Sequence, residues 1–204
     1  MKASSLAAAL LATAGAANAA LTPIGGSEVH FTGYSSASVS TDPQSAGLRN
    51  AQLVSDDALD ELTFTFLGKD AGHVNQLFFD GELAFDNLAA PFFTYTTVQG
   101  AGALDFAFKD THGGATVANG GNPLTFASYV VLGSFDAAGA FSPYTQGGKF
   151  DYVLGFNDSW IYDTDYNDLA IGINVTPVPE PETYAMLVAG LGIMGFVSWR
   201  RRFS

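Results

Sequence analysis

Apolar and polar residues alternate with a period of two at several places between residues 28 and 175. Leu62-Thr63-Phe64-Thr65-Phe66 is one such run, and Leu104-Asp105-Phe106-Ala107-Phe108-Lys109 is another. Phe150-Asp151-Tyr152-Val153-Leu154 repeats the theme, and Leu169, Ile171, Ile173 and Val175 share one face. This period marks half-buried β-strands. Residues 92–98 and 129–135 add runs rich in aromatic and β-branched side chains, which favour strands. Gly113-Gly114, Asn119-Gly120-Gly121-Asn122-Pro123 and Gly147-Gly148 break the runs with turn chemistry. Residues 56–62 are the one place where a short helical turn is expected. Short strands with regular turn signals predict an all-β domain over residues 20–176: an antiparallel β-sandwich, jelly-roll-like in its arrangement.

Both ends of the chain break this pattern. Lys2 precedes an apolar, alanine-rich stretch over residues 6–17, and Ala17-Asn18-Ala19 follows. Charge, apolar run and small-residue site in that order are a secretory signal peptide over residues 1–19, cleaved between Ala19 and Ala20. At the other end, residues 176–183 hold three prolines and form a stiff extended spacer. An uncharged run over residues 184–199 follows, closed by Arg200, Arg201 and Arg202. The run is shorter than the ~20 residues of an ordinary membrane span, yet it predicts a C-terminal transmembrane helix. The arginines act as a stop-transfer signal that keeps the C-terminus cytoplasmic, and Trp199 sits where an interfacial anchor belongs.

Composition sharpens this picture in three ways. The chain has no cysteine, so disulfides and thiolate metal sites are excluded. The formal net charge is −12, and four of the eight basic residues lie in the terminal signals, leaving Arg49, Lys69, Lys109 and Lys149 between them. A domain this acidic repels phosphate backbones and favours cations, which argues against nucleic-acid binding. Hydrophobic residues make up 48% of the chain, enough for a packed core.

Pro179-Glu180-Pro181, the apolar run and the terminal arginines together resemble the PEP-CTERM sorting domain, over residues 177–204. The resemblance implies processing by an exosortase, a membrane transpeptidase that recognises such a tail. It also implies a Gram-negative producer of exopolysaccharide, with the C-terminal helix in the inner membrane before processing. The mature protein is then expected at the cell surface or in the extracellular matrix.

Inside the domain the most informative stretch is residues 155–169. Asp158, Asp163, Asp165 and Asp168 fall within eleven residues, with Asn157 and Asn167 beside them. Closely spaced carboxylates repel unless something neutralises them. Calcium takes six to eight oxygen ligands from carboxylates, amides and carbonyls, so Asp158, Asp163, Asp165, Asn167 and Asp168 are the candidate ligands and Ca2+ the candidate ion. The segment is no EF-hand, because the required Gly and terminal Glu are missing. The other reading is a polar turn in which Asp and Asn cap backbone amides. Asp163-x-Asp165-Tyr166-Asn167-Asp168 followed by a strand also resembles a signature of the secreted β-family called domain of unknown function 4114, whose role is unsettled.

Catalytic signals are weak. His30, His73 and His112 have no zinc-ligand spacing, and no nucleophile elbow or phosphate loop is present. Two carboxylates among Asp80, Glu82 and Asp86 are the candidates for an acid pair in glycoside hydrolysis. No catalytic residue is therefore assigned. The chain is read as a non-catalytic structural or adhesive surface protein. The alternative is a calcium-dependent carbohydrate-binding module that uses Trp160 and Tyr162 beside the acidic cluster, with exopolysaccharide as partner.

Overall fold

The computed structural model describes residues 20–34, 44–56, 59–113, 116–121, 127–158, 165–178 and 181–202. The signal-peptide stretch, with Ala19, lies outside them. Among the described residues the chain forms fifteen strands and one helix. In order they are β1 Leu21–Ile24, β2 Ser27–Tyr34, β3 Gln44–Arg49, β4 Gln52–Ser55, β5 Asp60–Gly68, β6 Asn75–Phe79, β7 Glu82–Asp86 and β8 Thr94–Gln99. There follow β9 Gly102–Ala103, β10 Phe106–Asp110, β11 Thr116–Ala118, β12 Ser128–Phe135, β13 Phe141–Pro143, β14 Tyr152–Asn157, β15 Leu169–Pro177 and α1 Pro181–Arg202. Ala19–Val178 is one compact unit, and α1 lies outside it.

All strand pairs in the β unit are antiparallel, as the alternation predicts. One sheet runs β2-β3-β12-β14-β15-β5-β8, with β13 paired to the far half of β12. A second runs β11-β10-β6-β7, and a third, small sheet runs β1-β4-β9. The all-β, antiparallel expectation holds, and the two larger sheets have eight and four strands.

The four-stranded sheet follows the alternation closely. In β10, Phe106 and Phe108 are buried while Ala107 and Lys109 lie nearer solvent; in β6, Leu77 and Phe79 point inward. Those inward rings meet the large sheet. The Phe108 and Phe156 rings stack with centroids 5.0 Å apart and planes 7° from parallel, joining β10 to β14. In β14 every residue is buried. Tyr152, Leu154 and Phe156 face the main core, whereas Val153 joins Phe31, Leu67, Val130, Leu132, Tyr166 and Ala170 on the opposite face. A central strand covered on both faces loses the polar half of its alternation.

The expected helical turn at residues 56–62 is corrected by the structure. Residues 57 and 58 lie outside the described residues, but Asp60, Glu61 and Leu62 belong to β5 and pair with Pro177, Thr176 and Val175 of β15. Pairing on both sides, with β15 and β8, outweighs a weak local helical preference. Asp60 is fully buried and accepts a 2.6 Å hydrogen bond from the Ser55 hydroxyl.

Tyr129 closes the core around its phenol. The ring is fully buried against Phe106 and Phe108, and its hydroxyl donates to Ala51 O at 2.5 Å and accepts from Gly120 N at 2.9 Å. Burial pushes this phenol far above its ordinary value, with the Gly120 amide acting in the opposite direction. Tyr152, which donates to Leu21 O, is also raised, by burial and then by the Asp151 carboxylate. A phenol whose folded pKa lies above its unfolded value near 10 stabilises the fold fully below that pH and loses the contribution above it. The melting temperature is therefore expected to fall steeply above about pH 10. Tyr129→Phe flattens that fall, at a neutral-pH cost of about 1–3 kcal/mol for the stranded Ala51 and Gly120 groups. Thermal melts across the alkaline range check both statements.

Candidate functional site

Five strand ends from both layers converge at one end of the unit. Asn75 opens β6 and pairs with Asp110, the last residue of β10. Asp80 and Gly81 connect β6 to β7 as a two-residue turn with φ of 51° and 74°, the geometry of a tight Asp-Gly hairpin. That hairpin returns the chain beside its start, where Asn87 N donates to Asn75 O at 2.9 Å. Asp158 follows β14 and Asp168 precedes β15. Because Phe156 pairs with Leu169, the two aspartates meet just beyond the ladder. Asp158 N donates to Asp168 Oδ2 at 2.8 Å.

Side chains knit these ends together. Asn75 Nδ2 donates to Asp158 Oδ2 at 2.9 Å, bridging the two layers. Asn87 Nδ2 donates to His73 O at 2.9 Å and to Asp168 O at 3.4 Å. Asn167 accepts Asp70 N through its backbone carbonyl. Asn75, Asn87 and Asn167 are 0%, 2% and 4% exposed, and the side-chain oxygen of each lacks a hydrogen-bond partner. At the rim His73 Nδ1 lies 3.9 Å from Asp158 Oδ2, and one carboxylate oxygen of Asp110 is within 4.8 Å of both. The His73 ring stacks on His112 at 4.1 Å.

Of the five ligands expected from the sequence, the structure brings Asp158, Asn167 and Asp168 together. Asp165 is half-buried just ahead of them, and Asp163 lies outside the described residues. Asn75, Asn87, His73 and Asp110 are partners that linear spacing does not show. The Asp80-Gly81 turn alone would set Asn75 opposite Asp86; a β-bulge between Leu77 and Phe78 shifts the register by one, so that Gln76 faces Asp86 and Asn87 comes beside Asn75. Asp80 is a turn residue, and Asp86 caps the next turn by accepting Leu88 N at 2.9 Å. Trp160 and Tyr162 lie outside the described residues.

The tail is a separate element. Pro181 starts α1, where its missing N–H and preset φ suit a first helical position. Tyr184, Met186, Leu187, Val188, Leu191, Ile193, Met194, Phe196, Val197 and Trp199 are all exposed. They are spread around the helix rather than confined to a stripe, the pattern of a helix made for apolar surroundings. Arg200–Arg202 fill its last turn, where cations suit the helix dipole.

The expected transmembrane helix is corrected in one respect. No helix among the described residues is long and apolar enough to cross a membrane. The uncharged stretch between Glu182 and Arg200 has only seventeen residues, including Thr183, Tyr184, Ser198 and three glycines. At ~1.5 Å per residue such a stretch rises ~26 Å, short of the ~30 Å hydrocarbon core.

A short proline-bearing entry, an apolar helix and a terminal arginine cluster are the parts of one known signal, and residues 177–202 match the family model of the PEP-CTERM protein-sorting motif. The chain carries a PEP-CTERM sorting motif. Pro179 and Glu180 fall inside the match but outside the described residues; Pro181 and Arg200–Arg202 are the ends of its helix. A PEP-CTERM tail is processed by an exosortase, and it marks the chain for export and for membrane anchoring before processing. The match covers the tail and leaves the β unit to its own residues. Searches of curated proteins and of solved structures found no match.

Proposed function

We propose that this chain is a non-catalytic structural or adhesive component of the cell surface or exopolysaccharide matrix of a Gram-negative bacterium. The observation that carries this reading is the PEP-CTERM motif at residues 177–202. On this reading the signal peptide is cleaved after Ala19, and the tail holds the chain at the inner membrane until the exosortase acts. The β unit, with its own core, is the part displayed outside.

A second reading is a calcium-dependent carbohydrate-binding module. The segment from Asn87 to Phe93 favours it, because it starts within the polar cluster and carries Leu88, Phe92 and Phe93 exposed. Phe92 holds a left-handed backbone with φ of 64°, a costly conformation for an aromatic residue and a mark of functional segments. An exposed ring there offers an apolar face to a sugar.

The test is binding of the exported protein to the producing organism's own exopolysaccharide, with calcium and with chelator. Retention in the matrix that chelator leaves unchanged supports the structural role. Binding that chelator abolishes, and that Phe92→Ala weakens, supports the carbohydrate-binding role. Hydrolysis of the polysaccharide overturns the non-catalytic reading.

A further inference from the structure

We propose that the end of the β unit where β6, β7, β14 and β15 converge binds one calcium ion through the side-chain oxygens of Asn75, Asn87, Asn167, Asp158 and Asp168. This deepens the calcium half of the second reading and stands without its carbohydrate half.

Carboxylates alone would not make a site. The independent observation is three amides at least nine-tenths buried, each with a side-chain oxygen that nothing in the protein satisfies. Buried polar atoms are nearly always paired, and each exception calls for an explanation such as an ion. All three of these amide atoms are oxygens. Asn75 shows their setting. Its Nδ2 touches Asp158 Oδ2 at 2.9 Å, which sets the whole Asn75 amide, unpaired oxygen included, next to that carboxylate. Asn87 reaches the backbone carbonyl of Asp168 through its own Nδ2 and so lies beside that aspartate. Unpaired oxygens buried close to carboxylates are repulsive unless a positive charge lies among them.

Turn capping is present in the cluster too, where Asp168 Oδ2 accepts one backbone amide, that of Asp158, but among the described residues only Asp110 is seen to use both carboxylate oxygens in this way. Asp110 Oδ1 accepts His112 N, and its Oδ2 accepts Gly113 N. Asp110 is therefore a turn cap and is left out of the ligand set. Donor chemistry selects the ion. Amide and carboxylate oxygens in number suit calcium, whereas magnesium prefers to keep several waters and zinc prefers nitrogen and sulfur. The chain has no cysteine, and His73, with its side chain 46% exposed, is a rim neighbour rather than a buried ligand. An ion so placed ties four strand ends across both layers, so its binding energy acts as folding energy.

The test uses the full-length protein in detergent, stripped with EGTA and titrated with calcium chloride by calorimetry. One calcium per chain is expected. At about 100 times the dissociation constant the melting temperature is expected to rise by about 5–10 °C. Asp158→Asn keeps shape and the Asn75 contact while removing one charge; it is expected to weaken binding at least about tenfold, since each lost carboxylate charge tunes affinity strongly. Its calcium-free form should melt no lower than the wild type. Asn167→Ala should likewise lose the calcium response, and His73→Ala should keep it. Absence of both heat and melting shift in the wild type overturns the proposal. So does zinc binding that is tighter than calcium binding and is lost in His73→Ala, or an Asp158→Asn variant that melts lower yet responds to calcium as the wild type does.

Discussion

Changing Pro179, Glu180 and Pro181 together to alanine is expected to abolish exosortase processing and leave the chain at the inner membrane at its unprocessed size. These residues lie at the entry of the matched segment, ahead of the apolar part of α1. The change keeps the apolar run and the arginines, so the tail still associates with the membrane while its recognition sequence is gone. Fractionation with size analysis checks the outcome: the surface or matrix form should fall to background. Substituting Arg200, Arg201 and Arg202 tests the other half. Seventeen uncharged residues are a marginal span, so retention should depend heavily on the positive stop. The triple arginine variant is expected to lose its hold and leak unprocessed to the outside. Normal processing of both variants would show that delivery does not run through this motif.

Phe156→Ala is expected to cost the β unit about 3–5 kcal/mol, the range for emptying a buried aromatic site. Phe156 is fully buried, stacks face to face on Phe108 of the opposing sheet, and lies two residues before Asp158. For a domain of this length such a loss lowers the melting temperature by about 6–20 °C, a large part of an ordinary stability of about 5–15 kcal/mol. Val98→Ala, at a 51% exposed position of edge strand β8, should stay within about 0.5 kcal/mol of wild type. Parallel thermal melts decide the comparison. Equal shifts in the two variants would mean that the Phe108–Phe156 contact does not join the layers.

Much of the β unit was legible because its strands obey one period. Leu62, Phe64 and Phe66 in β5, and Leu169, Ile171 and Ile173 in β15, stand where alternation puts them, and the two strands pair with each other. Legibility failed at strand ends and in doubly covered strands. The 56–62 stretch reads as a short helical turn by composition, yet its second half extends β5, because its partners lie more than a hundred residues away in β15. In β14 the alternation vanishes at Val153, since the second face is also buried. The polar cluster was half legible. Asp158, Asn167 and Asp168 are close in the chain, whereas Asn75 and Asn87 reach them only through the Asp80-Gly81 hairpin and the facing of two sheets.

The sequence by itself determined how this protein is delivered, because a sorting signal is read locally: a proline-bearing entry, an apolar run and a charged stop act through their order along the chain. It also determined the fold class, since a period of two admits strands and little else. Only the tertiary structure decided which polar residues share one site. Asn75 and Asp158 are eighty-three positions apart, yet the amide of one lies 2.9 Å from the carboxylate of the other. That closeness depends on the register of β6 against β10 and on the stack of Phe108 on Phe156, and neither is encoded in any local stretch.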